Sequence, residues 1–212
     1  MIKQTIFLFV SAASMVVGHH ARDVPHRAVA VLCGDNIKGN ITFTELEDGK
    51  IRVQGTIIGM PAGSYGFHVH EKGDLSGGCI SAGSHFNPEH QLHGHPEDAV
   101  RHVGDLGNVV FDSNNVCNID FVDSLLALQG PHNIIGRSVV LHEKADDYGR
   151  SDHPDSRKTG NAGGRAACGV IGIAEPVYNY TYSWSTAGAG SSSLTMFLFL
   201  LSPITFLFKT IS

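Results

Sequence analysis

Ile51-Arg52-Val53-Gln54-Gly55-Thr56-Ile57-Ile58, a turn containing Gly and Pro, and then Ser64-Tyr65-Gly66-Phe67-His68-Val69-His70-Glu71 form the stretch on which the fold turns. Each segment is short, apolar-rich and bounded by turn formers, which is the pattern of strands in a sandwich or barrel rather than of βαβ units. Outward from it, the same pattern marks Ala28–Cys33, Lys38–Thr44, Leu106–Phe111, Val116–Val122, Ser138–His142 and Ala167–Ala174. An all-β domain is therefore expected over residues 28–176. With 25 glycines and one tryptophan in 212 residues, the composition suits many turns better than long helices, because glycine weakens helices yet serves tight turns. Hydrophobic residues make up 42% and charged residues 17%, enough to bury one sizeable core. A net charge of -5, with no run of Lys or Arg, excludes a nucleic-acid-binding surface.

Two stretches break the strand rhythm, Lys72–Asp105 and Glu143–Gly164, both rich in Gly, Pro, Asp and His. Structureless loops of this length are usually functional or disordered. Because both contain or adjoin unusual histidines, functional loops held by a metal and a disulfide are expected. The chain has 13 histidines, and histidine is the commonest metal ligand. His68 and His70 stand at i and i+2, so on a strand both rings leave one face and can reach one ion. Alone, such a pair is more often a surface feature. Here it is joined by His85, His93, His102-Val103-Gly104-Asp105 and His142, a larger donor set than one metal needs. His19, His20, His26, His90, His95, His132 and His153 fall outside the set and are expected to be solvated or locally hydrogen-bonded, His95 being the one close enough to His93, two residues away, to compete with it.

The two ends read as addresses. Residues 1–18 carry Lys3, a short apolar run and small residues ending at Gly18, a secretory signal peptide too short to span a bilayer. At the other end a polar, small-residue stalk (177–193) precedes an apolar tail (194–212). This is the pattern of a GPI-attachment signal that is removed, with Ser185 the expected attachment residue. Pro203 interrupts a tail of about 15 apolar residues, short of the roughly 20 a membrane-spanning helix needs. In the secretory pathway the sequons Asn40-Ile41-Thr42 and Asn179-Tyr180-Thr181 become glycosylation acceptors.

Five motifs occur in order: Gly66-Phe67-His68-Val69-His70-Glu71, Ser84-His85-Phe86-Asn87-Pro88, Arg101-His102-Val103-Gly104-Asp105-Leu106-Gly107-Asn108, Val140-Leu141-His142-Glu143-Lys144-Ala145-Asp146-Asp147 and Gly160 through Gly172. Across the whole domain they resemble the motifs of copper/zinc superoxide dismutases. The resemblance implies an eight-stranded antiparallel Greek-key barrel, an Ig-like sandwich, with two long functional loops. It implies an enzyme, placed at the cell surface by the two ends, that converts superoxide to oxygen and hydrogen peroxide by copper redox cycling, with zinc structural. His68, His70, His85 and His142 would hold copper, and His85, His93, His102 and Asp105 zinc, with His85 bridging both and carrying a proton. Four imidazoles suit copper(II), and three imidazoles with a carboxylate suit zinc.

The same resemblance gives Asp146 the role of linking the remote nitrogens of His68 and His93. Arg165 would attract the anionic substrate beside copper, and Lys158 and Thr159 would shape the approach channel. Cys79 and Cys168 would form the internal disulfide, while Cys33 and Cys117 remain open between free thiols and a second bridge. Lys72 stands where dimeric members carry an apolar interface residue, which counts against the family's homodimer because burying the charge would cost desolvation. Pro154, Asp155 and Arg157 stand where the family often has paired acids, which alters steering in detail. The alternative reading is a non-catalytic copper-binding or copper-delivery protein on the same fold. That protein should lose Arg165 or a copper ligand, or gain a Cys-x-x-Cys site; this chain does neither.

Overall fold

The computed structural model describes residues 26–174. The expected signal peptide (1–18) with His19 and His20, the expected stalk with Asn179 and Ser185, and the expected removed tail (194–212) lie outside the described residues.

Alternation sets the strands. In β3 (Ile51–Ile58) Ile51, Val53 and Ile57 are buried while Arg52 and Thr56 face solvent. In β1 (Arg27–Cys33) Ala28, Ala30 and Leu32 are buried and Val31 and Cys33 exposed. Such a period of two lets one face of a strand build a core and the other meet water. The remaining strands are β2 (Lys38–Glu45), β4 (Gly63–His70), β5 (Asp105–Phe111), β6 (Val116–Asp123), β7 (Ser138–His142) and β8 (Arg165–Ile173). Expected and observed strand ends differ by two residues at most.

All pairings are antiparallel, in the order β5-β4-β7-β8-β1-β2-β3-β6. β5 and β6, at the two ends of that order, are consecutive strands joined by a tight turn in which Asp112 Oδ1 accepts the Asn114 and Val116 amides. The sheet thus curls into a nearly closed eight-stranded barrel, with Greek-key jumps from β3 to β4 and from β6 to β7. Inside lie Phe43, Phe67, Phe111, Ile41, Leu141 and Ile171, all fully buried. The β6–β7 loop contributes Leu126, Leu128 and Ile134 to this core, a role its sequence did not announce.

β4 and β7 differ from β1 and β3. Phe67, Val69, Val139 and Leu141 point into the core, but His68, His70, Ser138, Val140 and His142 on the outer face are buried as well. Two loops cover them, 71–104 and 143–164. The loops contain short helices, a 3-10 turn at Gly78–Ala82 and a one-turn α1 at Ser156–Thr159. Helical periodicity cannot be read from segments this short. The Cys79–Cys168 disulfide, with Cα atoms 5.7 Å apart, ties the first loop to β8. Cys33 and Cys117 are free thiols, so no second bridge forms between them.

Candidate metal centre

The i, i+2 spacing brings His68 and His70 to one face of β4, and His142 arrives beside them on the neighbouring β7. His85 joins through an isolated bridge that pairs it with His70. Four buried imidazoles therefore converge from three segments, with donor atoms all within 4.8 Å of one another. A second buried set, His85, His93, His102 and Asp105, meets the same criterion and shares His85.

Hydrogen bonds settle which nitrogen each ring can offer. His70 Nδ1–H donates to Gly83 O at 2.9 Å and His142 Nδ1–H to Gly163 O at 3.4 Å, and the two Nε2 atoms face each other at 3.3 Å. His68 Nε2 and His93 Nε2 bind the two oxygens of Asp146 at 2.9 and 2.8 Å. A carbonyl or carboxylate acceptor fixes the proton on the remote nitrogen and leaves a lone pair on the convergent one. Among the described residues, the buried side-chain atoms without a hydrogen-bond partner are His68 Nδ1, His85 Nε2 and His93 Nδ1, all three in these sets. Orphaned buried nitrogens are costly, and three aimed inward fit a cation.

The second set is tighter. His85 Nδ1, His93 Nδ1 and His102 Nδ1 lie 2.9, 3.0 and 3.0 Å from the single oxygen Asp105 Oδ1. The His93 approach lacks hydrogen-bond geometry although the distance is short, so the two groups share a focus rather than a proton. A tetrahedron with bonds of about 2.0–2.1 Å has edges of about 3.3 Å, and His85 Nδ1 to His102 Nδ1 is 3.4 Å. The residues present therefore fit a tetrahedral ion beside a four-imidazole site.

Electrostatics separate the two sets. Burial, with neighbouring imidazoles adding to it, pushes His68 and His85 well below the ordinary histidine range, and pushes His70 down to about 2. Burial also lowers His142. Neutral rings have the lone pairs a metal requires. For His93 burial acts downward, yet the nearby Asp105 and Asp146 carboxylates outweigh it and raise the group to about 9. At Asp105 burial acts upward, and the His102, His85 and His93 rings gathered on one of its oxygens hold the carboxyl far below its usual range.

Several supporting residues escaped the sequence reading. Asn108 clamps Asp146 through both backbone groups, at 2.8 Å each. Gly160 adopts φ +66, and a Cβ there would lie 1.9 Å from Asp146 Oδ1 and 2.5 Å from His93 Nε2. The buried Arg101 guanidinium donates to His102 O, Asp105 O and Asp123 Oδ2, bracing the turn that carries two donors. Arg165 opens β8 and donates to the carbonyls of Cys79, Ile80 and Gly83 at 2.5, 3.1 and 2.6 Å. It shares the Gly83 carbonyl with His70 Nδ1, which places it beside the four-imidazole set. Lys158 lines a cleft of about 390 Å³ together with His85 and His102, whereas Thr159 is exposed on α1 and does not line it. His95 belongs to neither set: its ring packs edge-on against Tyr148 and accepts the Glu97 amide. Lys72 keeps 60% of its side chain exposed, 3.8 Å from Glu71.

The copper/zinc superoxide dismutase family model matches residues 37–171. The chain is 46% identical over 180 residues to an extracellular copper-zinc superoxide dismutase of Drosophila melanogaster, an alignment covering 82% of this chain and 99% of that one. It is 51% identical over 148 residues to superoxide dismutase [Cu-Zn] A of Xenopus laevis, covering 69% and 97%. Among solved structures, the clock protein EA4 superposes with a TM-score of 0.72 at 72% identity, covering 74% of this chain and 99% of that chain. Two histidine sets sharing one ring, on a Greek-key barrel matched by these relatives, place the chain in the copper/zinc superoxide dismutase family, oxidoreductases that use copper and zinc.

Proposed function

We propose that the chain is a secreted superoxide dismutase of the cell surface, with copper held by His68, His70, His85 and His142 and zinc by His85, His93, His102 and Asp105. The observation that carries this reading is the pair of donor sets joined at His85, each with its buried nitrogens aimed inward. When bound, copper supplies the one-electron cycling that turns two superoxide ions into oxygen and hydrogen peroxide. The protein does the rest. Arg165, pinned by three carbonyls, holds a positive charge where the anion arrives. Lys158, lining the cleft that His85 and His102 share, adds positive charge on the zinc side of the site. His85 Nε2 faces the copper set and is the atom on which a proton for the peroxide product would wait. Asp146 keeps the His68 and His93 rings in register, so the zinc half orients the copper half.

Secretion rests on the N-terminal sequence and on the extracellular relative, and anchoring on the C-terminal sequence alone. Asn40 is exposed on the outer face of β2, open to glycosylation. Asn179 and Ser185 complete the proposal as a second glycan site and the GPI attachment point. Lys72, exposed and charged, argues against the usual homodimer.

The test is metal content and dismutation of the full chain made in secreting cells. One copper and one zinc per chain are expected. His142→Ala should abolish activity, and Arg165→Ala should lower the rate by about 10-fold or more while both metals stay bound. A fully metallated wild type without activity would sink the assignment. Release of the protein from cells by a GPI-cleaving phospholipase tests the anchor; retention would refute it.

A further inference from the structure

Cys33 ends β1 as an exposed free thiol. In the register of β1 against β8 it stands directly opposite Cys168. On β1 the inward residues are Ala28, Ala30 and Leu32, and on β8 they include Ala167 and Ile171, so Cys33 and Cys168 both leave the outer face. Directly opposed residues of an antiparallel pair have Cα atoms about 4.5–5.5 Å apart. A disulfide needs about 4.4–6.8 Å, so a bridge between these two positions requires no strand movement. Cys168 is already bonded to Cys79, so the register sets a free thiol directly across from a disulfide-bonded cysteine on the barrel wall.

We propose that Cys33, Cys79 and Cys168 form a thiol–disulfide exchange site. The Cys33 thiolate attacks Cys168 Sγ, the Cys33–Cys168 bond forms, the Cys79–Cys168 bond breaks, and Cys79 departs with the electron pair as a thiolate that takes up a proton. The step is redox-neutral and needs no external oxidant.

Its consequence follows from what the original bridge tethers. Cys79 lies in the 3-10 turn Gly78–Ala82, whose Cys79 and Ile80 carbonyls, with that of Gly83, hold the Arg165 guanidinium. The apolar packing under this turn is slight, with Ala82, Val140 and Cys168 buried and Leu75 against them. Exchange cuts the covalent tie of the segment that positions Arg165, a segment whose Gly83 carbonyl also accepts from His70 Nδ1, while the seven donor residues themselves lie outside the turn. The isomer should hold both metals and dismute more slowly; this part rests on the role proposed for Arg165, whereas the exchange itself does not.

The test is disulfide mapping of the secreted, metal-loaded full chain. The protein is incubated at about pH 6 and about pH 8.5, alkylated under native conditions, unfolded, digested without reduction and analysed by mass spectrometry. A Cys33–Cys168 peptide with alkylated Cys79 is expected, more abundant at the higher pH, unchanged on tenfold dilution and absent from Cys33→Ser. In Cys79→Ser, mild oxidation should give Cys33–Cys168 as the sole bridge. Cys33→Ser changes an exposed side chain, so the comparison survives even if Cys79→Ser folds poorly. If wild type shows only Cys79–Cys168 with Cys33 fully alkylated at both pH values, or if Cys33 links only between chains, the proposal is wrong. Slower dismutation should track the isomer fraction at constant copper and zinc content. A populated isomer with full activity would overturn the link to Arg165 and leave the exchange standing.

Discussion

β3 and β7 are strands of one barrel, yet one alternates between buried and exposed residues and the other is buried throughout. Around β3 the outer face is a polar lattice in water: Arg52 with Asp120, Gln54 with Asp120, Thr56 with Asn118. Around β7 the outer face carries imidazoles roofed by two loops. The β3 wall stands on apolar area in a single core, which is tolerant of what happens outside it. The loop-covered side has only a small apolar cluster of its own and stands on buried polar links, the disulfide and the metals. Buried polar links are asymmetric: complete they specify a structure, and with one partner missing they cost heavily. Substitutions of the same chemical kind should therefore act differently on the two sides.

The largest expected effect is at Asp123, which ends β6 opposite Ile51 of β3 and ties that edge to Arg101 of the first loop at 2.6 Å, with both side chains almost wholly buried. It also accepts the Leu125 and Leu126 amides at the start of the loop that feeds the core. Asp123→Ala strands a buried guanidinium, and chemical denaturation of the metal-loaded protein should show a loss of about 3–5 kcal/mol. A loss below about 1 kcal/mol, the scale of an exposed pair, would mean that burial does not set the cost.

Two glycines sharpen the contrast. Gly49, in the β2–β3 hairpin, has φ +80 and open space where a Cβ would stand, whereas Gly160 has φ +66 and is pressed against Asp146 and His93. Left-handed strain of about 1–2 kcal/mol should be the whole effect of Gly49→Ala. Gly160→Ala adds overpacking of about 1–3 kcal/mol, and it should also weaken zinc retention in a chelator competition. Equal costs at the two sites, with zinc unaffected, would refute the account of Gly160.

Asp146→Asn removes the charge that orients His68 and His93 while keeping the side chain's shape. Metal affinity should fall by about 10–100-fold, read by competition with a chelator, with the far-ultraviolet spectrum unchanged. Unaltered affinity would make Asp146 a packing residue.

Much of this was legible in the sequence, for reasons that differ between the two sides. Alternation in Ile51–Ile58 announced the wall because period two is a local property. The i, i+2 spacing of His68 and His70 was equally local, and the ordered motifs supplied the remaining donors. What stayed hidden depends on register and distance. Arg101 and Asp123 are 22 residues apart and carry no shared pattern. The plug residues Leu126, Leu128 and Ile134 sit in a loop with neither strand nor helix period. Cys33 and Cys168 become neighbours only once β1 is known to lie beside β8.

The smallest expected effect is the other arginine–aspartate pair, and it completes the contrast. Arg52 and Asp120 are joined by two hydrogen bonds of 2.8 and 2.7 Å, so their geometry is as good as that of Arg101 and Asp123. Both side chains are about half exposed, however, at 45% and 52%. Water screens the attraction and solvates either partner when the other is removed. A double-mutant cycle of Arg52→Ala and Asp120→Ala should therefore give a coupling of about 0.2–1 kcal/mol that shrinks in high salt. A coupling near that of the buried pair would show that geometry outweighs solvent access, and the distinction between the two sides of the barrel would fail.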